Sequence, residues 1–316
     1  MGKKPKNSII KKVEVEDTVI TDPAQMSNEF NEFFVNIGKN LASKIPQQFS
    51  TGYSNNKCNE RSIFLYYTDA EEIIKVIYQL KNKKGGNDGI HSSILKTISS
   101  FISQPLSNII NRCIFLGSWP DTLKVAEVVP VFKSGNKMEL GNYRPISLIS
   151  NIAKIFEKIV HGRMFKFLSS SGRINDKQFG FLKNKISAHA LDKVLDSIYN
   201  GISENKAVAA TFIDLTKAFD TVDHDILCKK QYHDGIRGVA LDLIKSYLKQ
   251  RKQSVKIGNV HSSEQNIELG VPQGTVLEPL LFLVYINDIF EECPLVYAYA
   301  DDTTLLCIEN SWMKLS

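Results

Sequence analysis

An α+β fold is what the sequence of this 316-residue chain predicts. Strand-like and helix-like segments interleave irregularly along it. The strand-like runs, such as KVAEVVPVFKSG (124–135) and KAVAATFIDL (206–215), are short and rich in small and β-branched residues. No internal repeat is present.

Hydrophobic residues make up 43% of the chain and charged residues 23%, so a real core around a soluble globular domain is expected. The net charge of +5 is compatible with a polyanionic partner without demanding one. Cys58, Cys113, Cys228, Cys293 and Cys307 are dispersed, which speaks against a zinc site or a disulfide framework and for a reducing compartment. The lysine-rich start lacks the apolar core of a signal peptide, and PLLFLVYI (279–286) is too short to span a bilayer. The expectation is an intracellular protein of cytoplasm or nucleus, away from membranes.

Residues 1–12 form a basic tail, 22–45 have helical apolar spacing at Met26, Phe30, Phe33, Phe34 and Ile37, and 46–62 have the composition of a linker. Residues 1–62 are therefore set apart from a main domain over 63–316. TDAEEIIKVIYQL opens a helix at Thr68, with acids in its first turn. KNKKGGNDGI is a basic glycine-rich loop without the Walker pattern. SFISQPLSNIINRCIFLG predicts a helix started or interrupted near Pro105, and 124–135 a strand. NYRPISLIS follows as a loop, then a helix over 151–170. After the strand at 206–215, helices are expected at 223–231 and near GVALDLIKSYLKQR. Residues 253–269 are hairpin-like about Gly258–Asn259, 275–290 a buried helix, and LVYAYADDTTLLCI strand, tight turn, strand.

Asp214 ends one apolar strand, and Asp301 and Asp302 sit in the turn of an apolar hairpin 87 and 88 residues later. A carboxylate at the tip of a buried strand is costly unless paired, solvated or bound to a cation. Three from adjacent strands make an anionic cluster of the oxygen type that Mg²⁺ prefers, and two such ions suit phosphoryl transfer. A lone Asp-Asp pair is usually turn chemistry; the flanks decide here.

NYRPISLIS (142–150), QFGFLKNKIS (178–187), FIDLTKAFDTVDH (212–224), LGVPQGTVLEPLLFLVYINDI (269–289) and YADD (299–302) resemble, in order, five blocks of reverse transcriptases. The resemblance is closest to non-LTR retrotransposons of the LINE type, jockey-like in flavour, and covers roughly 65–316. It implies a right-hand polymerase fold, with fingers over about 65–200 and a palm from about 201–235 and 253–310. It implies that Asp214, Asp301 and Asp302 hold two Mg²⁺, with Mn²⁺ as an alternative. The reaction implied joins a dNTP to a primer 3′-hydroxyl on an RNA template. Phe219 would exclude a 2′-hydroxyl, Gln273 and Gly274 would form a turn against the template–dNTP pair, and Arg144 and Lys133 would grip the triphosphate. Lys245, Lys249, Arg251, Lys252 and Lys256 are candidates to line the primer–template groove, or a solvated face.

Three departures from the pattern matter. The chain stops 14 residues after Asp302, so a truncated fragment without a thumb is expected, and no endonuclease precedes it. Leu182 replaces a usual basic residue. Glu278 stands where glycine is usual, and Thr275–Glu278 fits a capping box. A catalytically silent, nucleic-acid-binding remnant is the alternative; Phe219 argues against an RNA-synthesising relative.

Overall fold

The computed structural model describes residues 10–44, 58–86, 88–293 and 295–310. Most of the basic tail and of the expected linker lies outside the described residues.

A hairpin of β1 (Val13–Val15) and β2 (Thr18–Ile20) leads into α1 (Pro23–Ala42). Asp22 starts that helix, its carboxylate accepting the Gln25 N–H at 2.8 Å, and Pro23 presets the first helical φ. Next come α2 (Ala70–Tyr78), α3 (Ser92–Thr97) and α4 (Ser99–Leu116). The cap of α2 is Asp69 rather than Thr68; the Thr68 hydroxyl bonds Glu72 instead, at 2.6 Å. The α4 helix runs through Pro105, which sits on its exposed side, where a lost N–H bond and a gentle bend are tolerated.

Strands β3 (Val125–Phe132) and β4 (Tyr143–Leu148) form an antiparallel hairpin. The expected loop at 142–150 is thus largely strand. Its Pro145 lies opposite Pro130, and β4 is an edge strand, where a residue without an N–H does least harm. Then follow α5 (Asn151–Ser170), α6 (Ser187–Ser203), β5 (Ala207–Ile213), α7 (His224–His233) and α8 (Val239–Leu248). Asp223 caps α7 through the Ile226 N–H at 2.8 Å. After them come β6 (Arg251–Ile257), β7 (Val260–His261), β8 (Gln265–Ile267), α9 (Glu278–Ile286), α10 (Ile289–Glu292), β9 (Val296–Tyr299) and β10 (Asp302–Glu309).

Two larger sheets organise the molecule. One runs β4-β3-β6-β7, with β8 on β6; the other runs β5-β10-β9. The hairpin expected over 253–269 is present, but β6 adds to β3 in parallel, with Val125 opposite Lys252. It therefore joins the sheet of the β3–β4 hairpin, not that of β5, β9 and β10. Short strands with long crossovers left this pairing unwritten in local pattern. The main core gathers residues of α2, α4, α5, α8 and α9, with Trp119 stacked on Phe156 at 3.9 Å. No helix among the described residues is long and apolar enough to cross a membrane.

The helix at 23–42, set apart from the main domain by sequence, packs on β6 and shares a core with the sheet. Met26, Phe30, Phe34 and Ile37 bury against Val128, Tyr143, Val255 and Ile257. Asn31 is fully buried and fastens the contact: its Nδ2 donates to the Ser263 carbonyl at 2.8 Å, and its Oδ1 accepts from Gln253 Nε2 at 3.0 Å. Removing this carboxamide strands buried partners, at about 2 kcal/mol. Asn31→Ala is expected to lower the urea midpoint accordingly, measured by the fluorescence of Trp119 in the main core. A helix that merely hangs on the domain would leave that midpoint unchanged.

Candidate active site

The site begins with strand pairing. β5 and β10 run antiparallel with Ile213 opposite Thr303 and Ala207 opposite Glu309. Asp214 is the first residue beyond β5, and Asp301 the last before β10, so the two acids emerge at the same end of neighbouring strands. Both line one cavity of about 510 Å³, together with Lys133, Arg144, Phe219, Gln273 and Gly274. These sequence-predicted residues come from five separate stretches of chain.

Asp302 does not line that cavity. It is the first residue of β10 and is exposed, opposite Tyr299. Adjacent residues entering a strand point to opposite sides, so Asp301 and Asp302 do not share the cavity. Among the described residues, no group of three or more His, Cys, Asp or Glu side chains is placed to hold a metal ion. Two carboxylates lining this cavity do fit the way Mg²⁺ usually binds, through one or two carboxylates plus the phosphates of a substrate.

Basic residues line the same cavity. Lys133 follows β3, its N–H bonded to the Asn142 carbonyl at 2.9 Å, and Arg144 projects from β4. Lys217, which sequence reasoning passed over, adds a third cation, its Nζ donating to the Gly141 and Tyr143 carbonyls at 3.3 Å. Burial pushes its ammonium pKa down; Asp220 opposes that, while Lys133 and Arg144 add to it. Phe219 packs on Phe282 at 4.3 Å and edge-on to Phe181 at 6.0 Å, forming an apolar floor.

The 272–278 turn is fastened on every side. The Ser147 N–H donates to the Gln273 carbonyl at 2.7 Å, and Gln273 Nε2 donates to Asp220 at 2.9 Å. Gly274 has a φ of +93°, a conformation open to glycine at little cost. Its N–H donates to the Glu278 carboxylate at 2.5 Å. The expected capping box is thus altered: Glu278 reaches Gly274, not the Thr275 N–H, and Thr275 Oγ1 meets the Tyr247 hydroxyl at 3.3 Å. Buried Glu157 on α5 takes the remaining donors, the Val276 and Leu277 N–H groups at 2.6 and 3.3 Å. Nothing in local pattern marks Glu157, because its partners lie 119 and 120 residues away.

Arg251 corrects the nucleic-acid assignment. It is 1% exposed, its guanidinium 4.6 Å from the Tyr247 ring centroid and bonded to the Tyr247 carbonyl at 3.3 Å. As the first residue of β6 it points into the core near Glu157, out of a nucleic acid's reach. Lys245 and Lys249 are exposed; Lys252 is paired with Glu264 at 3.3 Å and Lys256 with Glu127 at 3.1 Å.

Glu278 lines the cavity as well, and burial pushes its pKa up to about 7; the Gly274 N–H opposes this, and Asp220 and Glu157 reinforce it. Asp220 is raised to about 6, chiefly by burial. A carboxyl raised in the folded state binds a proton there that the unfolded chain has released. Stability is therefore lost as pH rises from about 4.5 to about 7 and stays lost above. For Glu278 the span is worth about 3 kcal/mol. Glu278→Gln keeps an acceptor for Gly274 and should flatten the denaturation midpoint over that window and raise it at pH 8. A midpoint as pH-sensitive as the wild type's would count against this account.

Residues 132–314 match a family model described as reverse transcriptase (RNA-dependent DNA polymerase). The chain is 32% identical over 256 residues to a probable RNA-directed DNA polymerase from transposon BS of Drosophila melanogaster, covering 76% of this chain and 28% of that protein. It is 29% identical over 263 residues to the RNA-directed DNA polymerase from mobile element jockey of the same species, covering 80% and 29%. It is 30% identical over 214 residues to a probable RNA-directed DNA polymerase from transposon X-element, also of that species, covering 67% and 24%. The chain thus spans less than a third of the length of these relatives. With its two carboxylates, basic residues and glycine turn around one cavity, and a family match over more than half its length, this chain belongs to the reverse transcriptase family.

Proposed function

We propose that the chain carries the nucleotidyl-transfer centre of an RNA-directed DNA polymerase of a non-LTR retrotransposon. The observation that carries this reading is the shared cavity, lined by Asp214 and Asp301 together with Lys133, Arg144 and Lys217. That is the charge pattern a triphosphate with divalent cations requires. Asp214 and Asp301 would hold Mg²⁺ or Mn²⁺, with Asp302 beside them at the hairpin. A bound ion would supply charge neutralisation at the transferring phosphate and acidify the attacking hydroxyl.

The chain's own groups do the positioning. Arg144 offers a planar fork that can clasp two phosphate oxygens, and Lys133 offers a point charge. Gln273 and Gly274 present a rigid backbone edge to the base pair. The Phe219 ring, braced by Phe282 and Phe181, sets the floor under the incoming sugar. The partners are an RNA template, a DNA primer and dNTPs, with exposed Lys245 and Lys249 as phosphate contacts. The fingers lie within about 65–200 and the palm about 201–235 and 253–310, the latter drawing on both sheets.

Primer extension on an RNA template with Mg²⁺ tests the reading. Asp301→Asn should reduce incorporation at least about 10³-fold, in line with removing a group that stabilises the transition state. Extension surviving in that variant would sink the assignment. Phe219→Ala should relax discrimination against rNTPs by about tenfold or more while dNTP turnover persists, read as the ratio of kcat/KM values.

One observation favours a second reading. Glu278 places a further carboxylate in the nucleotide cavity. Ionised, it repels a triphosphate, and the chain would then bind RNA in a salt-dependent way without extending a primer. RNA binding indifferent to Asp301→Asn, with no extension by the wild type, would establish that alternative.

A further inference from the structure

Resting on the proposed nucleotidyl-transfer centre, we propose that Gln178 is a positioning residue that clamps the Ala300 turn and so fixes Asp301 beside Asp214. Ala300 has a φ of +61°, a left-handed conformation that a residue with a Cβ adopts only when its surroundings impose it. Asp301 follows directly, so whatever holds Ala300 aims the carboxylate.

The holder comes from 122 residues earlier in the chain. Gln178 is 2% exposed. Its Oε1 accepts the Ala300 N–H at 2.9 Å and the Gly180 N–H at 2.7 Å, and its Nε2 donates to the Ala300 carbonyl at 3.3 Å. One carboxamide thus satisfies both backbone groups of the left-handed residue. The surrounding backbone repeats the attachment: Phe179 N–H donates to the Ala298 carbonyl at 2.8 Å, and Ala298 N–H to the Lys177 carbonyl at 3.0 Å. Contact is so close that a Cβ on Gly180 would fall 2.1 Å from the Ala300 nitrogen. Lys185 closes the segment behind, its Nζ bonding the Asp176 and Gln178 carbonyls at 2.6 and 3.0 Å. An amide buried this way has no water to replace it, and an apolar side chain of the same length leaves the Ala300 groups unpaired.

The test compares wild type, Gln178→Met and Gln178→Glu in the full chain. Met matches the length and loses all three bonds; Glu keeps an acceptor for both N–H groups. Hydrogen exchange reads the clamp: Met should speed exchange at 299–303 while the rest of the chain stays protected, and Glu should restore protection there. Mn²⁺ binding, followed by the free-ion EPR signal, reads the site: Met should weaken it about tenfold, the range seen when a ligand's supporting partner is lost. In primer extension, kcat should fall with little change in the KM for dNTP. Unchanged exchange at 299–303 in the Met variant overturns the clamp. Loss of protection throughout the chain also overturns it, because the residue would then serve the core at large. Wild-type protein that binds no Mn²⁺ while keeping the protected turn defeats the proposed centre but not the clamp, so the two failures are distinguishable.

Discussion

Everything at this site depends on the pairing of β5 with β10. Like charges brought to one end of two strands repel, and the sheet must absorb that cost. Seven residue pairs, from Ile213–Thr303 to Ala207–Glu309, supply the rigidity. A slip of one residue would exchange the faces of every side chain on β10 and carry Asp301 out of the cavity. The α6 helix backs this sheet closely: a Cβ on Gly201 would lie 2.7 Å from Val208 and 3.1 Å from Ile308. Register is thus held from the side as well as along the strands.

The second constraint is the 272–278 turn, and it is held by negative charge. Asp220, Glu157 and Glu278 each take donors from it. Three acids around one short segment would ordinarily push apart, yet Glu157 and Glu278 face backbone N–H groups that a helix start or a tight turn leaves without partners, and Asp220 takes the Gln273 side-chain amide. Buried Arg251 offsets the charge of Glu157, which explains why an arginine expected on the surface lies inside. The turn is rigid because N–H donors and carboxylate acceptors are matched, and burial leaves Glu278 and Asp220 responsive to pH.

Much of this was legible in the sequence, for identifiable reasons. Asp214, Asp301, Phe219, Gln273 and Gly274 lie in contiguous blocks whose residue order is itself the signal, and they meet in one cavity. The helices over 22–45 and 151–170 were also visible, as α1 and α5. What failed to show was whatever depends on distant partners. The parallel pairing of β3 with β6 joins segments 127 residues apart, Val125 with Lys252. The burial of Arg251, the role of Glu157 and the attachment of α1 to β6 are of the same kind. Asp302 shows the converse limit: a motif names two adjacent acids, and strand geometry separates them.

Asp214 and Asp301 differ from Lys133 and Arg144 in the stiffness of what carries them. The carboxylates sit on a paired sheet, where neither can retreat from the other. Lys133 sits at the start of the β3–β4 loop and Arg144 on the edge strand beyond it. On the proposed reading, a long cation on a hairpin follows a polyphosphate at little cost to the fold, because an edge strand has one neighbour rather than two. In the proposed centre, an acid allowed the same freedom would lose the preorganisation that makes electrostatic stabilisation effective. Acids on a stiff sheet beside bases on an edge hairpin is the arrangement the proposed nucleotidyl-transfer centre requires, and β5, β10 and the β3–β4 hairpin supply those elements.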